Sequence, residues 1–195
     1  MDRQISMKRP SIDLDRKMMM HCIALSRAAA EAGEHPYGAV ISRGDKVVAE
    51  SINRVRRDGD ITRHAEVVTI SAAQKTLGTV SLDDCTIYAN AEPCVLCCYA
   101  IRESRIGRVV YGLGSPHMGG VSKWNVLEDL SRAMPEVFSP PPEIIAGFMA
   151  KEAEDALFDW NPLVAKIIRS AASLARPRSG WVKRWNYTRR AAVVC

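Results

Sequence analysis

The chain has 195 residues, of which 47% are hydrophobic and 25% charged, and its formal net charge is +5. This length suits one well-buried domain and is short for two, and the composition excludes a largely disordered chain. No stretch approaches the roughly 18 continuous apolar residues of a membrane-spanning helix, so we expect no membrane association. The polar first residues lack the apolar core of a signal peptide, which predicts a cytoplasmic location.

Hydrophobic patterns in the first half of the chain predict a helix, a hairpin and a second helix. Apolar side chains recur at helical spacing after Leu14, and two short apolar runs flank a turn around Gly44. The predicted elements are a helix from Leu14 to about Gly33, strands over 37–42 and 47–51, a polar loop over 53–60 and a helix from about Thr62 to Leu77, closed by Gly78.

The second half predicts strands that alternate with helices. Short apolar runs between turn residues are typical of buried strands, and Pro93 stands where a helix can begin. The predictions are a strand over 85–89, a helix over 94–103, a strand over 108–112, a glycine-rich loop over 112–120, a helix over 125–132, a strand over 143–146, a helix over 148–160 and another from Pro162. This alternation predicts an α/β domain with helices on both faces of one sheet.

The excess positive charge lies near the end of the chain. From Ser170 onward six side chains are basic and none is acidic, which leaves 21 basic against 22 acidic residues elsewhere. We therefore predict a leader over 1–13, a near-neutral domain over 14–170 and a basic tail over 171–195. The basic residues are Arg176, Arg178, Lys183, Arg184, Arg189 and Arg190, and Trp181, Trp185 and Tyr187 lie among them.

Two short motifs carry the candidate chemistry. His64-Ala65-Glu66 precedes Pro93-Cys94-Val95-Leu96-Cys97, and both segments are predicted at helix starts. Zinc binds imidazole nitrogen and thiolate sulfur in tetrahedral geometry, and a catalytic site keeps the fourth position for water. His64, Cys94 and Cys97 therefore predict one open Zn²⁺ site. Glu66 need not be a ligand, since a carboxyl there can take a proton from the activated water and deliver it to substrate.

Other interpretations compete with catalysis for the two cysteines. A Cys-x-x-Cys pair alone also fits a structural zinc site, a redox pair or coincidence. A redox pair needs no upstream His-Ala-Glu, and a closed structural site needs a fourth ligand nearby. Cys98 points about 100° away from Cys97 on a helix, which makes it a poor fourth ligand. We favour catalysis, and the non-enzymatic alternative is a structural zinc module that binds a partner through Trp160 and Trp181.

With these motifs, the chain from Leu14 to Trp160 resembles the cytidine deaminase-like superfamily, in its guanine deaminase and tRNA adenosine deaminase branch. Pro36-Tyr37-Gly38-Ala39-Val40 resembles the strand on the substrate side of these enzymes. Residues 82–88, leading into Glu92-Pro93-Cys94, are similar to guanine deaminases, whereas 104–112 are similar to tRNA adenosine deaminases. The resemblance implies a three-layer α/β/α fold with a five-stranded mixed sheet, one Zn²⁺ per subunit and a homodimer.

The resemblance also implies substrate contacts. Asn53 stands where family members place an asparagine that hydrogen-bonds the substrate, and Tyr37 and Ala65 belong to segments on the same side. Arg63 departs from the usual family sequence and either contacts substrate or lies in solvent. His117, in a loop over 114–124 that fits neither branch, either lines the pocket or is solvated.

Two substrate classes follow. The first is a free purine base or nucleoside, or a related aminated ring, with guanine favoured because Tyr37 is aromatic and the domain is near neutral. The second is adenosine in tRNA, edited to inosine, which requires a basic surface for phosphates and a pocket for a flipped base. The tail has the mixture of aromatic and basic residues that binds single strands. Chain ends are usually loosely ordered, however, so we favour the small-molecule substrate.

Overall fold

The computed structural model describes residues 10–134, 140–161 and 163 of the chain. Over these residues helices and strands alternate, as the hydrophobic patterns predict. In chain order the elements are α1 (Ile12–Glu31), β1 (Gly38–Arg43), β2 (Lys46–Ile52), α2 (Val55–Asp58), α3 (Ala65–Leu77), β3 (Thr86–Ala91), α4 (Val95–Glu103), β4 (Arg108–Leu113), α5 (Val126–Ala133), β5 (Glu143–Ala146) and α6 (Ala150–Trp160).

The five strands form one mixed sheet in the order β2-β1-β3-β4-β5. β1 is antiparallel to both β2 and β3, whereas β3, β4 and β5 are parallel to one another. Parallel neighbours need crossover connections, and α4 and α5 lie in these connections. The carboxyl ends of β2, β3 and β4 therefore meet at one edge of the sheet.

Side chains alternate along the strands and bury both faces of the sheet. Ile87 and Val109 belong to a hydrophobic cluster with α3, α4 and α5 on one face. Tyr88 and Val110 belong to a second cluster with α1 and α6 on the other face. The predicted three-layer α/β/α fold with a five-stranded mixed sheet is therefore confirmed.

A buried ion pair joins α1 to the middle of the sheet. The Arg108 guanidinium donates from Nη1 and Nη2 to the two carboxylate oxygens of Asp15, both at 2.7 Å. The Tyr88 hydroxyl donates to the same carboxylate at 2.8 Å. These hydrogen bonds offset the cost of removing both charges from water.

The structure differs from the predicted elements at the starts of α1, α3 and α6, the last beginning at Ala150 instead of 148, and in the loop that contains α2. α1 begins two residues early, inside the predicted leader, because the Ser11 hydroxyl caps it by accepting from the Leu14 N–H at 3.2 Å. α2 lies within the predicted polar loop. α3 begins three residues late because the Asp60 carboxylate accepts from both the N–H and the hydroxyl of Thr62, at 2.8 and 2.7 Å, which favours a turn.

Some predicted segments lie outside the described residues. These are most of the leader, the helix predicted from Pro162, apart from the single described residue Leu163, and the basic tail over 171–195. Within the part of the chain that the structure describes, no helix combines the length and apolar character needed to cross a bilayer.

Candidate active site

His64, Cys94 and Cys97 come together at the starts of two helices. His64 and Cys94 are the N-cap residues of α3 and α4, and Cys97 lies in the first turn of α4. His64 Nδ1 is 3.5 Å from Cys94 Sγ and 3.4 Å from Cys97 Sγ. The two sulfur atoms are 3.6 Å apart. The predicted ligand set therefore forms one cluster in the folded chain.

These separations fit a single tetrahedral zinc ion. Zinc–sulfur bonds of about 2.3 Å and zinc–nitrogen bonds of about 2.0 to 2.1 Å place two sulfurs about 3.8 Å apart and a nitrogen and a sulfur about 3.6 Å apart. The observed distances agree to within about 0.2 Å. One imidazole and two thiolates also leave a fourth position for water, as catalytic zinc sites do.

Cys98 does not join the cluster. Its thiol is fully buried, donates to the Pro93 carbonyl oxygen at 3.4 Å and packs in the hydrophobic cluster beneath α4. This placement agrees with its position beside Cys97 on the helix, since adjacent helical side chains point in different directions.

The surroundings of Cys94 and Cys97 shift the pKa values of the two thiols in opposite directions. The Cys97 thiol lowers the pKa of the Cys94 thiol to about 4, burial opposes this change, and His64 supports it. The contact with Cys94 and burial raise the pKa of the Cys97 thiol. The hydrogen bond to Cys94 also raises the pKa of His64. Metal binding must displace the protons of these groups, so zinc affinity falls in acid.

Glu66 lies beside the ligands in the first turn of α3 and lines the same cavity. Its side chain is buried, and burial raises its pKa, with the nearby Cys94 acting in the same direction. A carboxyl group whose pKa is shifted toward neutrality can both accept and return a proton.

A cavity of about 220 Å³ opens beside these side chains, at the edge of the sheet where β2, β3 and β4 end. Ligand sites of α/β proteins commonly lie at this edge. The lining combines apolar walls with a few polar groups. It consists of His35, Tyr37, Gly38, Asn53, Val55, Ile61, His64, Glu66, Asn90, Ala91, Glu92, Cys94, Leu113, Gly114, Ser115, Met118 and Leu157.

Tyr37 and Asn53, which the sequence predicts on the substrate side, both line the cavity. The Asn53 N–H donates to the Tyr37 carbonyl oxygen at 2.8 Å. Asn90 supports the wall by accepting from the Gly38 N–H at 2.9 Å and donating to the Pro36 carbonyl oxygen at 3.0 Å. A Cβ at Gly38 would lie 2.6 Å from a backbone oxygen of α1, so only glycine permits this close packing.

Three residues expected on the substrate side lie outside this lining. Arg63 is half-exposed, donates from Nε to Asp60 at 3.1 Å and does not line the cavity. His117 is exposed, and its neighbour Met118 lines the cavity instead. Ala65 is fully buried at the start of α3 and has no cavity surface.

His35 lines the cavity although sequence reasoning assigned it no role. Its ring packs edge-on against Trp160, with centroids 5.8 Å apart. Burial, supported by the charge of Arg56, lowers the pKa of His35, so the imidazole is neutral at physiological pH. The one available signal was its position directly before the Pro-Tyr-Gly-Ala-Val segment.

Glu92 holds the loop over 114–122 against the metal-binding turn. Its carboxylate accepts from the N–H groups of Ser115, Val121 and Ser122 at 2.7, 3.2 and 2.6 Å, and from the Ser122 hydroxyl at 2.9 Å. A backbone bridge pairs Gly119 with Cys94. The loop and one metal ligand therefore form a single connected unit.

Comparison with known proteins identifies the family to which this fold and site belong. The cytidine and deoxycytidylate deaminase zinc-binding region matches residues 12–113, more than half of the chain. The chain belongs to this family of zinc-binding deaminases, which are hydrolases acting on C–N bonds of cyclic amidines.

Curated relatives include proteins that act on tRNA. The tRNA-specific adenosine deaminase of Bacillus subtilis is 33% identical over 140 residues, which are 71% of this chain and 83% of that protein. The tRNA(Ile)-lysidine synthase of Deinococcus radiodurans is 44% identical over 108 residues, or 53% of this chain. The matched region is 19% of that synthase and 27% of the corresponding synthase of Deinococcus deserti.

Solved structures with this fold come from both branches. A structure from work on A-to-I editing by tRNA:A34 deaminases has a TM-score of 0.65 at 32% identity, covering 73% of this chain and 99% of that chain. The guanine deaminase of Nitrosomonas europaea has a TM-score of 0.66 at 22% identity, covering 79% and 86%. At that identity the second likeness supports the fold alone.

Proposed function

We propose that this chain is a zinc-dependent hydrolytic deaminase of a free purine base or nucleoside, with a guanine-like purine as the favoured substrate. The reaction would replace an exocyclic amine by a carbonyl group and release ammonia. The supporting observation is the zinc-spaced cluster of His64, Cys94 and Cys97 beside the buried Glu66. His64, Cys94 and Glu66 line one cavity of about 220 Å³.

The roles of the side chains follow from this arrangement. His64, Cys94 and Cys97 would hold a zinc ion, whose Lewis acidity would make water a nucleophile near neutral pH. Glu66 takes a proton from that water and returns it to a ring nitrogen of the substrate, and the second water proton leaves with the amine. One C–O bond forms, one C–N bond breaks, and the products are a cyclic amide and ammonia.

The cavity walls favour a small, flat substrate. Tyr37 offers an aromatic face and Asn53 an amide, while Leu157 of α6 and Met118 of the loop contribute apolar contacts. Apolar walls with a few directed polar groups are typical of sites that enclose a small molecule. A single heterocyclic base matches this combination of flat apolar surface and few hydrogen-bonding groups.

The decisive experiment measures ammonia release from zinc-loaded protein. The substrate panel contains guanine, adenine, cytosine, their nucleosides, pterins and unmodified tRNA. Glu66→Gln should keep one zinc per chain and lose at least about 100-fold in turnover, since it removes the proton carrier. Glu50→Gln is the matched control because Glu50 is half-exposed and pairs with His21. Near-normal turnover by Glu66→Gln would overturn the mechanism.

Adenosine in tRNA is the second candidate substrate. Four arginines, Arg54, Arg56, Arg57 and Arg63, lie in the segment that leads from Asn53 to the metal ligand His64, against only two acidic residues, Asp58 and Asp60. This segment also contributes Val55 and Ile61 to the cavity lining. A basic segment at a cavity is suited to phosphate contacts. Curated relatives named as tRNA-specific adenosine deaminases support the same candidate.

Substitution of arginines in this segment provides the test that separates the two substrates. If tRNA is the substrate, Arg57→Gln together with Arg63→Gln should reduce its turnover and weaken the salt dependence of that activity. Release from a free base should stay unchanged, because neither side chain lines the cavity. Arg27→Gln is the control, since Arg27 is an exposed arginine of α1 that pairs with Asp159.

We further propose that the chain forms a homodimer. The exposed side of α4 carries Val95, Leu96 and Tyr99, and the adjoining loop carries Trp124, each between 42% and 58% exposed. Such a group of apolar side chains beside an active site is suited to a subunit interface. A dimer would cover this surface next to the metal-binding turn.

A further inference from the structure

Glu34 is a buried carboxylate with no place in the proposed proton transfer. It follows α1 and precedes the cavity residue His35, and its side chain is 2% exposed. Its Oε1 accepts from the Arg57 N–H at 2.6 Å, and its Oε2 accepts from the Arg56 N–H at 3.2 Å and from Asn53 Nδ2 at 3.0 Å. One carboxylate therefore joins the segment after α1, the end of β2 and the start of α2.

An ionised carboxylate can only accept hydrogen bonds. Burial acts to raise the pKa of Glu34, but the hydrogen bonds from Arg57, Arg56 and Asn53 outweigh it and lower the pKa. Glu34 is therefore charged at neutral pH, and the Asn53 amide must turn its NH₂ group toward it. The opposite amide orientation would place two acceptors against each other in a buried site.

This orientation determines what Asn53 offers to the cavity. Of its three polar hydrogen-bonding positions, one N–H is used by Glu34, and no described residue donates to Oδ1. The carbonyl oxygen and the second N–H remain as an acceptor and a donor. An asparagine amide in this state pairs with an amine and a neighbouring ring nitrogen, as it does with adenine in DNA recognition.

We propose that Glu34 is a positioning residue that fixes the orientation of the Asn53 amide, and thereby makes the cavity selective for an amine beside a ring nitrogen. The inference rests on the proposed function for the identity of the ligand. Its structural part, the orientation of the amide, is independent of catalysis.

The first test observes the amide directly. In a ¹⁵N-labelled, zinc-loaded protein, the side-chain NH₂ resonances of Asn53 are assigned by their loss in Asn53→Ala. One of the two hydrogens should exchange slowly with solvent in the wild type, and both should exchange rapidly in Glu34→Gln, where one carboxylate oxygen becomes an NH₂ group. Fast exchange of both hydrogens in the wild type, or no change in Glu34→Gln, would overturn the proposal.

The second test is a double-mutant cycle in kcat/KM per zinc-loaded chain, with the substrate found in the ammonia assay. Glu34→Gln should lower kcat/KM about 10- to 100-fold, because misplacing one substrate-positioning group has effects of this size. In the Asn53→Ala background the same change should cost less than about twofold, since the group through which Glu34 acts is gone. Melting temperature and zinc content are followed in parallel.

The outcomes separate a positioning role from a structural one. A structural Glu34 would lower the melting temperature while the effects of the two substitutions on kcat/KM multiply independently, and that result would overturn the proposal. Glu34→Asp, which keeps the charge, should retain more activity than Glu34→Gln. If no substrate shows Glu66-dependent ammonia release, the proposed function fails, and the exchange experiment still decides whether Glu34 orients the amide.

Discussion

At the scale of single residues, three buried glutamates surround one cavity and differ through their partners. Glu34 and Glu92 each accept several hydrogen bonds, chiefly from backbone N–H groups, and hold neighbouring segments in place. Glu66 lies beside the metal ligands, and burial raises its pKa. Surroundings rich in hydrogen-bond donors stabilise a charged carboxylate, whereas a desolvated carboxyl group is suited to exchanging a proton.

Acid should weaken the contacts of Glu34. A pKa below its ordinary value of about 4.5 means that Glu34 stabilises the fold above that pH, and that this stabilisation is lost as the pH falls through the folded-state value. We expect the free energy of urea unfolding to fall between about pH 5 and pH 3 in the wild type and less steeply in Glu34→Gln. Equal slopes in the two proteins would contradict the hydrogen bonds assigned to Glu34.

Cys94, the N-cap of α4, and Cys98, about one helical turn further on, provide a matched test of the metal site. Cys94→Ala should reduce bound zinc from one per chain to nearly none and lower the melting temperature, because metal binding is coupled to folding. Cys98→Ala should keep its zinc, since that thiol packs in the core and donates to Pro93. Metal analysis after exhaustive dialysis measures the zinc content of both variants. Equal zinc loss in the two variants would count against the ligand set.

Site residues that stand in short, recognisable motifs could be predicted from the sequence. Residues whose role depends on a contact made only in the folded chain could not. His64, Cys94 and Cys97 stand in short motifs whose spacing specifies one metal. Glu34 meets Asn53 only after β1 and β2 have turned back on each other, so no pattern around Glu34 indicates the contact. Whether Arg63 and His117 line the cavity depends on loop geometry, which hydrophobic periodicity does not determine.

At the scale of elements, the start of α4 is built by close contact with the loop over 114–122. The Gly120 N–H donates to the Pro93 carbonyl oxygen at 2.8 Å, and a Cβ at this position would lie 2.6 Å from Cys98 Sγ. Glycine at position 120 therefore permits the loop to pack directly on the helix that carries two metal ligands.

Adding one methyl group at that contact should be costly. Gly120→Ala should reduce the free energy of unfolding by about 1 to 3 kcal/mol, because the surrounding side chains are already packed. Gly114→Ala is the control in the same loop, since its Cβ would approach nothing closer than 3.9 Å. Urea unfolding of both zinc-loaded variants measures the difference, and equal stabilities would show that the loop moves away freely.

Long periodic elements were predictable, whereas short ones and some helix starts were not. The apolar period of α1 and the hairpin around Gly44 indicated these elements directly, and Gly78 marked the end of α3. α2 has only four residues, too few for a period to be recognised. The Asp60 carboxylate forms a local turn with Thr62 before α3 begins, and propensity rules give no warning of this turn.

At the scale of the whole molecule, the apolar surface of α4 predicts the oligomeric state. Leu96→Asp together with Tyr99→Asp should convert the proposed dimer to a monomer, because burying two unpaired charges in an interface is costly. Light scattering coupled to size exclusion measures the mass. Ile61→Asp, at an exposed apolar residue of the cavity rim, is a control for adding charge near the site. A wild-type protein that is monomeric at micromolar concentration would contradict the proposal.

The layered architecture could be predicted from the alternation of helices and strands, but the buried polar contacts that join its layers could not. The number of strands and the mixed character of the sheet came from resemblance to a known fold rather than from the physics of the strands. The ion pair of Asp15 and Arg108 joins residues separated by 93 positions, and nothing near either residue in the chain indicates the other. Such pairs form only when the fold brings their elements together.

The way in which Glu92 holds its loop has a consequence for the evolution of this site. Most of its hydrogen bonds come from main-chain N–H groups, which every residue except proline possesses. The side chains between these anchors, at positions 116–118, can therefore be exchanged without loosening the attachment to the metal-binding turn. New substrate preferences can arise there one substitution at a time, while the catalytic centre is inherited unchanged.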